Sequence, residues 1–107
     1  MGFFDFLKTP DINAGLERFR AAAGAMLLDV READEYADGH IPGSVNLPLS
    51  SLATAEITVP DPETPLFIYC LSGARSAQAQ ARLKKMGYKN VENIGGIRGY
   101  RGEKESL

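Results

Sequence analysis

Apolar positions fall in short runs between polar, glycine- or proline-containing connections, and the spacing within each run predicts an element. After Pro10, Ile12, Leu16 and Phe19 recur at i, i+4 and i+7, while Glu17, Arg18 and Arg20 lie off that stripe. This reads as a helix over 11–22. Residues 26–30 (MLLDV) suit a buried strand, 32–38 (EADEYAD) an acidic helix stopped by Gly39, and 40–43 (HIPG) a turn. Residues 45–47 read as a short strand and 50–56 as one or two helical turns. The stretch 60–65 holds three of the six prolines and is a loop. Residues 66–69 (LFIY) form a buried strand ending at Cys70, and 71–76 (LSGARS) read as a loop. A helix is expected over 77–86, with Ala79, Leu83 and Met86 on one face. Lys84 and Lys85 suit its negative end, and Gly87 the position beyond. A strand at 89–94, a turn at Gly95-Gly96 and a fraying charged tail at 101–107 complete the pattern.

Strands alternating with helices argue an α/β fold: a central, mainly parallel β-sheet flanked by helices on both faces. Ligands of such sheets bind beyond the carboxyl ends of strands, where Cys70 lies. The chain has 107 residues, the size of a single domain. It divides into an N-terminal apolar segment and helix (1–24), a core (25–102) and a tail (103–107). With 44% hydrophobic and 24% charged residues the composition is globular. A net charge of −2 gives no general attraction to polyanions, so nucleic acid is not an expected partner. One cysteine excludes an internal disulfide, and with one histidine it cannot furnish a usual four-ligand zinc site; no metal is expected.

No apolar run reaches the roughly 20 residues of a membrane span. The start, MGFFDFLK, lacks the basic start of a signal peptide, and Asp5 and Lys8 interrupt its apolar part. The expected compartment is cytoplasmic, where a lone thiol stays reduced. Phe3, Phe4 and Phe6 with Leu7 form an apolar cluster that either docks on the domain or makes a dimer or membrane-surface contact.

The chemistry centres on residues 66–76. A cysteine between a buried strand and a helix faces a helix N-terminus, whose free N–H groups and dipole favour negative charge. None of Leu71, Ser72, Gly73, Ala74, Arg75 and Ser76 is proline, so all six amides are potential donors to the sulfur. Gly73 permits unusual backbone angles, Arg75 adds positive charge, and Ser76 is a candidate cap that starts the helix. Such surroundings lower a thiol pKa and make Cys70 a nucleophile. The plain alternatives are an inert core cysteine, a solvated arginine and ordinary loop serines. His40, flanked by Gly39, Ile41, Pro42 and Gly43, reads as a structural turn rather than a general base. Glu32, Asp34, Glu35 and Asp38 read as a solvated helix face.

Taken together, these segments resemble the rhodanese-like sulfurtransferase family from about Leu27 to Tyr100. Cys70 to Ser76 resembles its active-site loop. Asp29-Val30-Arg31-Glu32, Glu35-Tyr36 and Gly39 to Ser44 with Asn46 resemble its N-terminal signature, and Gly95-Gly96 with Tyr100 its C-terminal one. The resemblance implies a persulfide on Cys70, no cofactor, and Asp29 and Arg31 as a pair bracing the site. The implied reaction moves a sulfane sulfur from a donor such as thiosulfate to cyanide or a thiol. With no second cysteine the sulfur passes to an external acceptor, and a persulfide-carrying protein is a further candidate partner. Leu71 stands where many relatives active on thiosulfate carry a basic residue, and Tyr100 where tryptophan is common. Four residues separate Cys70 from Arg75, one fewer than in cysteine phosphatases. That makes phosphatase or arsenate-reductase activity the weaker enzymatic reading. A non-catalytic module acting as a binding partner is the alternative from another class.

Overall fold

The computed structural model describes residues 10–107. The contact expected of Phe3, Phe4 and Phe6 lies outside the described residues. The elements are α1 (Ile12–Ala21), β1 (Met26–Asp29), α2 (Ala33–Asp38), β2 (Ser44–Asn46), a 3-10 segment (Leu49–Thr54) running into α3 (Ala55–Thr58), β3 (Leu66–Cys70), α4 (Ala74–Lys85), β4 (Val91–Gly96) and a 3-10 turn (Ile97–Gly99). The four strands pair in parallel in the order β2-β1-β3-β4.

Alternation along the central strands builds two cores, one on each face of the sheet. Leu28, Leu66, Ile68 and Cys70 face α4 and α3, where Ala79, Leu83, Leu52 and Ala55 cover them. Leu27, Phe67, Tyr69 and Ile94 face α1, which buries Ile12 and Leu16 and packs Phe19 against them. The helices therefore flank both faces, as the sequence predicts. Gly15 allows the close approach of α1, because a Cβ there would collide with the Ile94 side chain.

Four expectations are corrected. The helix after Cys70 begins at Ala74, so the loop is only Leu71–Gly73 and Arg75 and Ser76 are helical. Met86 is 43% exposed because the helix ends at Lys85 and the chain swings away through Gly87 at φ +105°. Tyr88 packs beneath instead, its hydroxyl donating to the Val59 carbonyl at 2.7 Å. Gly95-Gly96 is the end of β4 rather than a turn: Ile68 pairs with Asn93 but Tyr69 with Gly95, so Ile94 is an extra residue in a bulge. The tail does not simply fray. Glu105 and His40 exchange backbone hydrogen bonds of 2.8 and 2.9 Å, and the Leu107 amide donates to the Ala37 carbonyl at 2.9 Å. Its side chains are exposed, so composition gives no sign of this backbone pairing.

Candidate active site

The site forms where β3 ends and α4 begins. β3 is buried along its whole length and delivers Cys70 to the carboxyl edge of the sheet. Gly73 is the residue before α4, at φ +101° and ψ −10°, a left-handed conformation that a side chain would strain. This reversal folds the chain back over the sulfur. The Gly73 amide donates to Cys70 Sγ at 3.0 Å, and the Ser76 amide and hydroxyl each donate at 3.4 Å. Burial pushes the Cys70 thiol up, but the Ser76 hydroxyl and the amides of Ser76, Gly73 and Ser72 outweigh it, and the net shift is downward.

The cradle is thus smaller than a ring of six amides. Ala74 and Arg75 belong to the first turn of α4, and Leu71 turns its carbonyl to the Arg98 amide at 3.3 Å. Its side chain packs against the α1-side core. Cys70 is also more enclosed than a loop cysteine is expected to be, at 1% exposure. Ser76 is not the helix cap. It sits in the first turn, is wholly buried, and its hydroxyl has three acceptors in reach: Asn93 Oδ1 at 2.7 Å, the Gly73 carbonyl at 3.1 Å and Cys70 Sγ at 3.4 Å.

Arg75 is directed elsewhere than expected. Its guanidinium makes paired bonds of 2.6 and 2.9 Å to the two carboxylate oxygens of Glu35 on α2. That hydrogen bond pulls the Glu35 carboxyl down to about 2. The acidic helix is therefore not merely a solvated face. Glu35 also accepts from the Glu32 amide, and Glu32 accepts from the Ser50 hydroxyl.

Asp29 and Arg31 form a buried two-pronged pair, with Nη2 to Oδ2 at 2.7 Å and Nε within 3.1 Å of both oxygens. Arg31 also donates to the Gly39 carbonyl at 2.7 Å, and Asn46 donates to the carbonyls of Asp29 and Arg31. The pair thus fixes both ends of α2, the helix that presents Glu35. His40 is structural as expected. It is 4% exposed, stacks on Tyr36 at 3.7 Å, and its Nδ1 lies 2.6 Å from the Tyr36 carbonyl.

Sequence reasoning missed Asn93, and it named Glu35 without its role. Nothing local marks the pairing of Glu35 with Arg75, which spans 40 residues. Asn93 carried a signal: a polar residue in a strand, in register with the inward-facing Ile68. Close approach also shapes the loop, since a Cβ on Gly96 would press against the backbone of Leu71 and Ser72.

The rhodanese-like domain profile matches residues 13–103. A thiosulfate sulfurtransferase of Escherichia coli K12, PspE, is 39% identical over 72 residues, covering 66% of this chain and 69% of that protein. A solved E. coli rhodanese with anions is 33% identical at TM-score 0.71, covering 78% of this chain and 99% of the other. A human single-domain sulfurtransferase, TSTD1, is 31% identical at TM-score 0.69, covering 81% and 89%. Among the first curated relatives, the share of their own length spanned by this chain runs from 69% down to 23%. Among the described residues no helix is long and apolar enough to cross a membrane.

Proposed function

Because the chain belongs to the rhodanese-like domain family and is a rhodanese-type enzyme, we propose that it transfers a sulfane sulfur through a persulfide on Cys70. The carrying observation is the sulfur itself, held by the Gly73 amide at 3.0 Å and by the Ser76 amide and hydroxyl at 3.4 Å. Those donors lower its pKa and so favour the thiolate, and they equally suit an anionic terminal sulfur.

In the first half-reaction the Cys70 thiolate attacks the outer sulfur of a donor such as thiosulfate. The S–S bond of the donor breaks, sulfite leaves with the electron pair, and Cys70 carries S–S⁻. The amides at the head of α4, which have no acceptor within the helix, are the remaining donors for this outer sulfur. In the second half-reaction cyanide or an external thiolate attacks the outer sulfur and the Cys70 thiolate departs. The scheme requires no metal or organic cofactor. Since Cys70 is 1% exposed, the donor sulfur enters by displacing the rim of residues 71–76. Asp29 and Arg31 act at one remove, by holding α2 so that Glu35 anchors Arg75. A sulfur carrier protein with a free nucleophile fits as the acceptor, and a persulfide-bearing protein as an alternative donor.

Intact mass after thiosulfate treatment tests the proposal. Wild type gains one sulfur and Cys70→Ser gains none. Steady-state thiosulfate:cyanide turnover is expected to vanish with Cys70→Ser. Equal rates in the two proteins would refute the proposal in favour of a binding module, and faster hydrolysis of an aryl phosphate than sulfur transfer would favour the phosphatase reading.

A further inference from the structure

Three acceptors compete for the single hydrogen of the Ser76 hydroxyl. The hydroxyl lies 2.7 Å from Asn93 Oδ1, 3.1 Å from the Gly73 carbonyl and 3.4 Å from Cys70 Sγ. Asn93 is not free to turn away. Its Nδ2 donates to the Gly73 carbonyl at 3.2 Å and its Oδ1 accepts from the Gly95 amide at 3.0 Å. These two bonds fix which end of the amide faces the hydroxyl. Asn93 reaches this place because it pairs with Ile68, whose side chain faces α4, and the bulge at Ile94 follows it.

The distances rank the acceptors while the thiol is neutral. A short bond to an amide oxygen is preferred over a long contact to a neutral sulfur. The order reverses once the sulfur is charged, because a hydrogen bond to an anion is roughly twice as strong as one between neutral groups. Oδ1 is not then orphaned, since the Gly95 amide still donates to it.

We propose that Asn93 is a positioning residue, which holds the Ser76 hydroxyl hydrogen while Cys70 is neutral and yields it to the sulfur as negative charge develops there. This rests on the sulfur-transfer reading, in which Cys70 alternates between thiol, thiolate and persulfide. The hydroxyl then serves as a donor that follows the charge, and Asn93 sets the work needed to recruit it. Holding the hydrogen back keeps the thiol pKa from falling further. That matters because intrinsic nucleophilicity drops as the pKa drops.

Asn93→Ala leaves the hydroxyl only the more distant Gly73 carbonyl as its alternative, so recruitment to the sulfur becomes easier. The thiol pKa is expected to fall by about half a unit to one unit. Because Asn93 acts through Ser76, the same substitution is expected to leave the pKa unchanged in a Ser76→Ala background. The titration is read from the far-ultraviolet absorbance of the thiolate, which the single cysteine makes unambiguous. Asn93→Asp guards against a folding defect in the alanine variant. Its carboxylate keeps the shape and holds the hydrogen more tightly, so the pKa rises, and rises less when Ser76→Ala is also present. Equal shifts in both backgrounds, or no shift with Ser76 intact, would overturn the proposal. The titration needs no sulfur donor. A wild type that fails to gain a sulfur from thiosulfate would therefore defeat the transfer reading, while the titration alone decides whether Asn93 governs the thiol through Ser76.

Discussion

Among the described residues, replacing Ser76 with alanine removes the only side-chain donor to Cys70 Sγ and leaves the amides of Gly73 and Ser76 in place. A hydrogen bond to a charged acceptor contributes about 1.5–3 kcal/mol. Here the contact is long, to sulfur, and won in competition with Asn93 Oδ1. The lower end, about 1.5 kcal/mol, is the appropriate magnitude, and that corresponds to about one pKa unit upward. The effect on rate is not simply tenfold. Below the pKa the thiolate fraction falls about tenfold, while a thiolate of higher pKa is intrinsically more nucleophilic, with a Brønsted coefficient of about 0.45. The two combine to a loss of about three- to fourfold in persulfide formation at pH values below the thiol pKa. Above the pKa only the second effect remains, and the variant is expected to be about threefold faster.

The diagnostic result is therefore a crossing. Persulfide formation is timed by intact mass across a pH series with thiosulfate in excess, for wild type and Ser76→Ala. The variant starts below wild type and ends above it. Uniform slowing at every pH would mean that the substitution had merely distorted the loop, and superimposable curves would mean that the hydroxyl does not serve the thiolate. Either result refutes the reasoning. A modest loss of stability, about 1 kcal/mol in urea, is expected because the 2.7 Å bond to Asn93 is also lost.

Glu35→Gln tests the Arg75 partner. The Glu35 carboxyl is held at about 2, below its ordinary 4.5, so its contribution is complete above about pH 4.5 and is lost as pH falls towards 2. Both side chains are 31% exposed, which screens the pair to about 1 kcal/mol. Acid unfolding of Glu35→Gln should show that much less dependence over this window, and an identical acid profile would contradict the assignment. Arg31→Ala leaves the Asp29 carboxylate buried without its partner and the Gly39 carbonyl without its donor, at a cost of about 3–5 kcal/mol in urea unfolding; a loss under about 1 kcal/mol would show that the pair is dispensable. Gly96→Ala forces a Cβ against the Leu71–Ser72 backbone, 2.7 Å from the Ser72 Cα. It should cost about 1–3 kcal/mol and slow persulfide formation, and wild-type rates would show that the loop tolerates displacement.

The elements were legible where one physical cause dominates. β3 is a continuous apolar run and is buried throughout, and Ile12, Leu16 and Phe19 form the inner stripe of α1 as their spacing requires. Cys70 was legible for the same reason, as a polarisable side chain placed between such a run and a glycine. What escaped is what depends on partners distant in sequence. The six small and polar residues after Cys70 look alike to a local reading, yet the reversal at Gly73 lets the helix begin at Ala74. The Glu35–Arg75 pairing spans 40 residues and the Ser76–Asn93 bond spans 17. Gly95-Gly96 reads as a turn, but the pair ends the edge strand β4 just after the bulge at Ile94, where Gly95 lies close to the Pro10 carbonyl. Tail residues 105 and 107 are fixed by backbone bonds, to which side-chain chemistry gives no clue.

The charge balance at the loop has a consequence for donor choice. Arg75 is the one cation among residues 71–76, and Glu35 neutralises it with paired bonds of 2.6 and 2.9 Å. The sulfur itself is held by uncharged donors, and Leu71 brings no charge. A dianion such as thiosulfate is thus received by dipoles and not by a free cation in the loop. Leu71→Lys supplies that cation. Its stem can retain part of the packing of Leu71 against the α1-side core while the ammonium reaches solvent. One charge acting on a dianion at about 7 Å through a water-like dielectric is worth about 1 kcal/mol, or roughly a fivefold gain in kcat/KM for thiosulfate. The gain should come through KM and disappear near 1 M salt, where the screening length is about 3 Å. Wild type, with its loop cation already paired, should respond weakly to the same salt. A gain that persists at high salt would mean that the lysine acts by reshaping the loop, and an unchanged KM would mean that charge at this position does not govern donor binding.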